Sequence, residues 1–177
     1  MSPTALPIYL DASALARRAE ADGNSASARS VHCGNLVQAA CDDADRIIAL
    51  SWLTLVEFHN AVAITWRDSR PDYQQYNQPW AEAAMFRVMS LVATGRYQII
   101  RTPPQAEDHA IALVRLATRE YNNSLRAWDA VHLITATTWA HALGTPVELW
   151  TSDRGFGRFV GLYPHFKRFV NVVDLNP

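Results

Sequence analysis

Four carboxylates, Asp11, Glu57, Asp129 and Asp153, lie in four separate segments of the chain: IYLDASAL, SWLTLVEFHNAV, LRAWDAVHLITA and ELWTSDRGF. If the fold gathers them, they form a set of hard oxygen ligands with no Cys or His ligand spacing. Such a set suits Mg²⁺ or Mn²⁺, and two such ions can stabilise in-line attack on a phosphodiester. Like charges packed together raise one another's pKa values, so a cluster of this kind requires a metal.

Each acid also has a plainer job. Asp11 can N-cap the helix ASALARR, as Asp often does. Thr54-x-x-Glu57 is a capping-box pattern, and Asp153 in SDRG suits a turn or a cap. Asp129 differs, because it shares a helical face with Leu125, Leu133 and Ala136 and so turns toward the core. A carboxylate there is costly unless a cation or hydrogen bonds compensate it. The coincidence of four acids therefore carries more weight than any one of them.

Gathering them needs a particular architecture. LPIYL (6–10), RIIAL (46–50), YQIIR (97–101), VELWT (147–151) and FVNVV (169–173) read as five strands. Between them lie the helical stretch ASALARRAE and helical patterns over Leu53–Trp66, Ala106–Tyr121 and Leu125–Ala142, the last ended by Gly144. Alternating strand and helix predict the α/β class: a central parallel sheet of about five strands, flanked by helices on both faces, with right-handed crossovers. Ligands bind such sheets beyond the carboxyl ends of the strands. Asp11 and Asp153 follow strands, while Glu57 and Asp129 fall early in helices whose starts belong at that same edge.

Composition sets the outer limits. At 177 residues, 49% hydrophobic and 19% charged, the chain is an ordinary globular mixture and reads as a single domain over 1–177. It shows no membrane-length apolar run and no signal-peptide pattern at its start, which predicts a protein that stays in the cytoplasm. The net charge of −1 excludes a general polyanion binder, so any nucleic-acid contact is expected to be local. Lys167 is the only lysine; every other cation is arginine, which grips phosphate with a bidentate fork. Cys33 and Cys41, eight residues apart on one helix, would be separated by about 12 Å, too far for a disulfide. A reducing compartment fits them.

The four motifs, in this order and each at its expected structural place, resemble those of PIN-domain ribonucleases, and most closely the VapC-type toxins of bacterial toxin–antitoxin modules. The likeness runs from residue 8 to about residue 160. It implies that Asp11, Glu57, Asp129 and Asp153 bind Mg²⁺ or Mn²⁺ and activate water for cleavage of RNA. It also implies a homodimer and a VapB-like antitoxin whose tail covers the site. The chain is longer than a minimal member, and the extra length is expected as helical insertions near 23–45 and 66–85.

Neighbours of the acids follow from the same frame. Ser13, Thr151 and Ser152 match small hydroxyl positions beside the family's acids, suited to bonding a carboxylate or water. Asn60 lies one turn from Glu57 and can support it from behind. Arg154 and Arg158 follow Asp153 and can hold a phosphate, or be simply solvated. His132, one turn after Asp129, is expected to be packed and hydrogen-bonded rather than to act as a base. The six tryptophans are expected in the core rather than as base-stacking platforms.

Other functions are weighed against this one. A haloacid-dehalogenase-like phosphatase needs a second Asp two residues after the first, where this chain has Ser13. A receiver domain needs a lysine near its acids, and Lys167 lies far along the chain. A PIN-like module that only binds nucleic acid or protein, or a nuclease acting on DNA, remains open at the level of sequence.

Overall fold

The computed structural model describes residues 5–22, 26–67, 76–121 and 125–177. Its elements run β1 (Ile8–Leu10), α1 (Ala12–Glu20), α2 (Ala28–Asp42), β2 (Ile48–Ser51), α3 (Trp52–Arg67) and α4 (Gln78–Ala93). They continue as β3 (Tyr97–Ile100), α5 (Ala106–Tyr121), α6 (Ala127–Leu143), β4 (Val147–Thr151), α7 (Arg154–Leu162), α8 (Pro164–Lys167) and β5 (Val170–Asp174). The five strands form one parallel sheet in the order β3-β2-β1-β4-β5. This is the α/β fold expected from the sequence.

The pleat of β1 shows why both faces are covered. Side chains alternate along a strand, so Ile8 and Leu10 enter one apolar cluster and Tyr9 the other. The first cluster takes apolar side chains from α1, α2, α3 and α4, the second from α5, α6, α7 and α8. A central strand buried on both sides must be apolar throughout, and all three β1 residues are buried. From β1 the chain steps outward to β2 and β3, then returns to the other side of β1 for β4 and β5. The switch point, where such sheets open a crevice, thus lies between the carboxyl ends of β1 and β4.

Two helices occupy the stretches expected as insertions. α2 fills most of 23–45, although residues 23–25 lie outside the described residues, and it packs on α1, with Cys33 Sγ 3.8 Å from the Ala14 carbonyl. Both cysteines lie on α2 as free thiols. Its C-terminal end is held by Arg96, which donates to the carbonyls of Ala40 (2.6 Å), Cys41 (2.8 Å), Asp43 (2.7 Å) and Arg46 (2.8 Å). A cation is favourable at that end of a helix. In 66–85, the end of α3 and the start of α4 are helical, and residues 68–75 lie outside the described residues. No helix among the described residues is long and apolar enough to cross a membrane.

Candidate active site

Asp11 leaves the end of β1 and N-caps α1, accepting the Ala14 backbone N–H on Oδ1 at 2.9 Å. Two hydroxyls complete its shell. Thr151, the last residue of β4, donates to Oδ2 at 2.7 Å, and Ser13 lies 2.8 and 3.0 Å from the two oxygens. Ser13 Oγ in turn accepts the Ser152 backbone N–H at 2.8 Å, and Thr151 Oγ1 accepts that of Asp153 at 2.9 Å. Ser13 and Thr151 therefore tie β1 to β4 across the switch point. Ser152 is buried and joins the network through its backbone N–H. Only 4% exposed, Asp11 has its pKa raised by burial; His132 and the three hydrogen bonds oppose the rise without cancelling it.

Glu57 sits in the second turn of α3. The capping box expected of it belongs elsewhere: Thr54 donates its N–H to Ser51 Oγ (3.2 Å), and Ser51 donates its own to Thr54 Oγ1 (3.3 Å). The reciprocal pair is thus Ser51 and Thr54, because α3 begins at Trp52, three residues before the position the pattern assumed. Glu57 is released from capping and meets His132 instead, Oε2 to Nε2 at 2.7 Å. On its other side His132 Nδ1 lies 2.6 Å from the hydroxyl of buried Tyr9, which donates on to Ser51 Oγ at 3.1 Å. Burial opposes charge on this imidazole, 2% exposed, but Tyr9, Glu57 and Asp11 favour it and push its pKa up to about 10. As an imidazolium it donates from both nitrogens, to Glu57 and to Tyr9.

Asp129, in the first turn of α6, is 8% exposed. Its compensation comes from Arg126, the residue just before the helix, whose Nε donates to Oδ2 at 2.9 Å and whose Nη2 lies 3.3 Å from Oδ1. The same Nη2 donates to Asp153 Oδ2. Burial raises the Asp129 pKa, and Asp153 adds to the rise; Arg126 works against both. Asp153 itself N-caps α7, accepting the Gly155 N–H at 2.8 Å.

Asp11, Glu57 and Asp129 line one cavity of about 380 Å³ at the carboxyl edge of the sheet, together with Ser13, Asn60, Arg126, His132 and Ser152. Asp153 is outside the lining but joined to it through Arg126. Asn60 is an exposed part of the wall, whereas Arg154 and Arg158 are exposed on α7 and do not line the cavity. As the side chains stand, no three His, Cys, Asp or Glu groups among the described residues converge on a common cation position. Arg126 and Tyr9 are the site residues that sequence reasoning missed. The signal for Arg126 was present three residues before Asp129, one helical turn away; Tyr9 gave none beyond an apolar strand. Not all tryptophans lie in the core: Trp52, Trp66 and Trp128 are exposed, because they fall off the buried stripes of α3 and α6.

No protein-family profile and no curated protein matches the chain by sequence. Solved structures do match it. VapC20 of Mycobacterium tuberculosis, described as a sarcin–ricin-loop-cleaving toxin, aligns at TM-score 0.54 and 15% identity over 85% of this chain and 93% of its own. FitAcB of Neisseria gonorrhoeae aligns at 0.57 and 18% identity, over 95% and 97% of the two chains. VapBC2 of Rickettsia felis, solved with a DNA fragment from its promoter, aligns at 0.53 and 14% identity, over 94% and 99%. At such low identity the likeness speaks for the fold alone: the chain shares the α/β fold of these three neighbours.

Proposed function

We propose that the protein is a Mg²⁺- or Mn²⁺-dependent endoribonuclease, the toxin of a type II toxin–antitoxin pair, with Asp11, Glu57, Asp129 and Asp153 as its metal-binding and catalytic carboxylates. The observation that carries this reading is the single cavity shared by Asp11, Glu57 and Asp129, three acids from three segments, in a fold resembling that of an RNA-cleaving toxin.

The donor set suits such an ion. It consists of carboxylate oxygens, two of them on residues whose burial already disfavours charge, and a cation among them relieves that cost. A bound divalent ion supplies Lewis-acid stabilisation of the phosphodiester and a more acidic water. The chain's own residues do the positioning. Ser13, Thr151 and the Ala14 N–H fix both oxygens of Asp11, and His132 fixes one oxygen of Glu57. Preorganised ligands need no rearrangement as charge develops in the attack. Asn60 lies on the wall where it can support Glu57 or a water, and Arg154 and Arg158 offer phosphate contacts beyond the cavity.

The VapBC2 neighbour supports a VapB-like antitoxin as partner. A homodimer and a cytoplasmic location belong to the same reading. Exposed Ile111 and Trp128, on the apolar groove between α5 and α6, suit the dimer contact. The test is cleavage of total cellular RNA by purified protein with Mg²⁺ or Mn²⁺, with EDTA, and by the Asp129→Asn variant. Discrete fragments that need both metal and Asp129 are expected. Cleavage that persists in EDTA or in the variant would overturn the assignment.

A further inference from the structure

Two of the proposed metal ligands already have a cation of the chain's own. Arg126 stands at the start of α6 in extended conformation, and its side chain makes no capping bond to that helix. It bonds instead to both oxygens of Asp129 and to Asp153, so one guanidinium bridges acids carried by two different elements. Arg17, the other arginine on the cavity wall, is engaged by Glu20 at 2.6 Å. The guanidinium of Arg126 is therefore the positive charge that Asp129 and Asp153 share.

A guanidinium fork and a divalent ion cannot both take the inward lone pairs of the same carboxylates. The arginine is the more readily released of the two, since its side chain is 68% exposed on a flexible stem and returns to water when it lets go. We propose that Arg126 is an exchangeable internal counter-ion, which neutralises Asp129 and Asp153 in the metal-free protein and must be displaced from both before a divalent cation can bind. The inference rests on the metal-dependent reading above. It makes the metal requirement a property of this arginine as well as of the acids: the ion pairs hold the metal-free site together and raise the metal concentration needed to fill it.

The experiment is a calorimetric titration of Mn²⁺ into the full-length wild type and into Arg126→Ala and Arg126→Gln, each checked by circular dichroism, with thermal melts in EDTA and in saturating Mn²⁺. Removing the competitor should tighten Mn²⁺ binding about fivefold, the factor equivalent to about 1 kcal/mol for a partly exposed ion pair. The variants should melt lower than wild type in EDTA, and gain more than wild type on adding Mn²⁺. A lesion that merely loosens the site would weaken Mn²⁺ binding instead. Equal or weaker binding by the folded variants, with Mn²⁺ still bound by wild type, would overturn the exchange and leave the nuclease reading standing. Absence of Mn²⁺ binding by wild type and variants alike would overturn the metal site itself, and the exchange with it. Arg126→Gln keeps a hydrogen-bonding group beside Asp129 and decides the matter if Arg126→Ala does not fold.

Discussion

Glu57 of α3 and His132 of α6 meet at 2.7 Å, the carboxylate facing the cavity and the imidazole buried behind it. The contact fixes Glu57 from the core side, and His132 is itself fixed by Tyr9. Tyr9→Phe keeps the ring and removes the hydroxyl, leaving a buried ring nitrogen without its partner. The expected loss is about 1–3 kcal/mol, read as a lower urea midpoint at unchanged slope. A variant as stable as wild type would mean that this hydrogen bond contributes nothing.

Because His132 titrates at about 10 in the folded chain, against 6.5 ordinarily, the folded state holds its proton more tightly than the unfolded state. The stabilisation is complete below about pH 6.5 and is lost as the pH rises through about 10. Melting temperatures of the metal-free protein, measured in EDTA, should fall across that window. His132→Gln should flatten the slope; an equally steep fall in the variant would place the titration elsewhere.

Asp11 illustrates a conflict between stability and chemistry. Burial raises its pKa, so the ionised form is strained in the folded chain. Asp11→Asn removes the charge while its amide oxygen can still accept the Ala14 N–H. The variant should melt higher than wild type in EDTA, by about 2–4 °C per kcal/mol relieved, yet lose Mn²⁺ binding and RNA cleavage. A melting temperature below that of wild type would show that the lost hydroxyl bonds outweigh the relief.

Gly144 ends α6 at φ 67°, in the left-handed region, on the approach to the amino end of β4 and so at the sheet edge opposite the site. Gly144→Ala places a Cβ in that conformation and should cost about 1–2 kcal/mol in denaturant midpoint. Mn²⁺ affinity should be unchanged, which separates a fold lesion from a site lesion.

The strands and the helices α1, α3, α5 and α6 were legible because β-rich runs and helical periodicity follow directly from burial on two faces. α2 and α4 entered only as helical insertions near 23–45 and 66–85. α7 was not legible, since Gly155, Gly157 and Gly161 weaken helix propensity; burial of Phe156, Phe159 and Val160 on one face holds it in place. Asp11 and Asp129 could be placed at the site from the rule that ligands sit beyond strand ends. The partners of those acids were harder to see. A long arginine can serve any acid within its reach, and only the fold shows that Arg126 serves two. The Ser51–Thr54 pair escaped notice because a capping box is read relative to a helix start, and the start was misplaced.

Strand order also has a consequence in time. Asp11 is made 140 positions before the Thr151 hydroxyl that holds it. At about 5–20 residues per second, that interval is on the order of ten seconds on the ribosome. Throughout it the first strand can pair only with β2, and one wall of the cavity has yet to be made. Until β4 has been made the nascent chain has no closed cavity, so the acids of the early elements cannot act together while the later ones are still being synthesised.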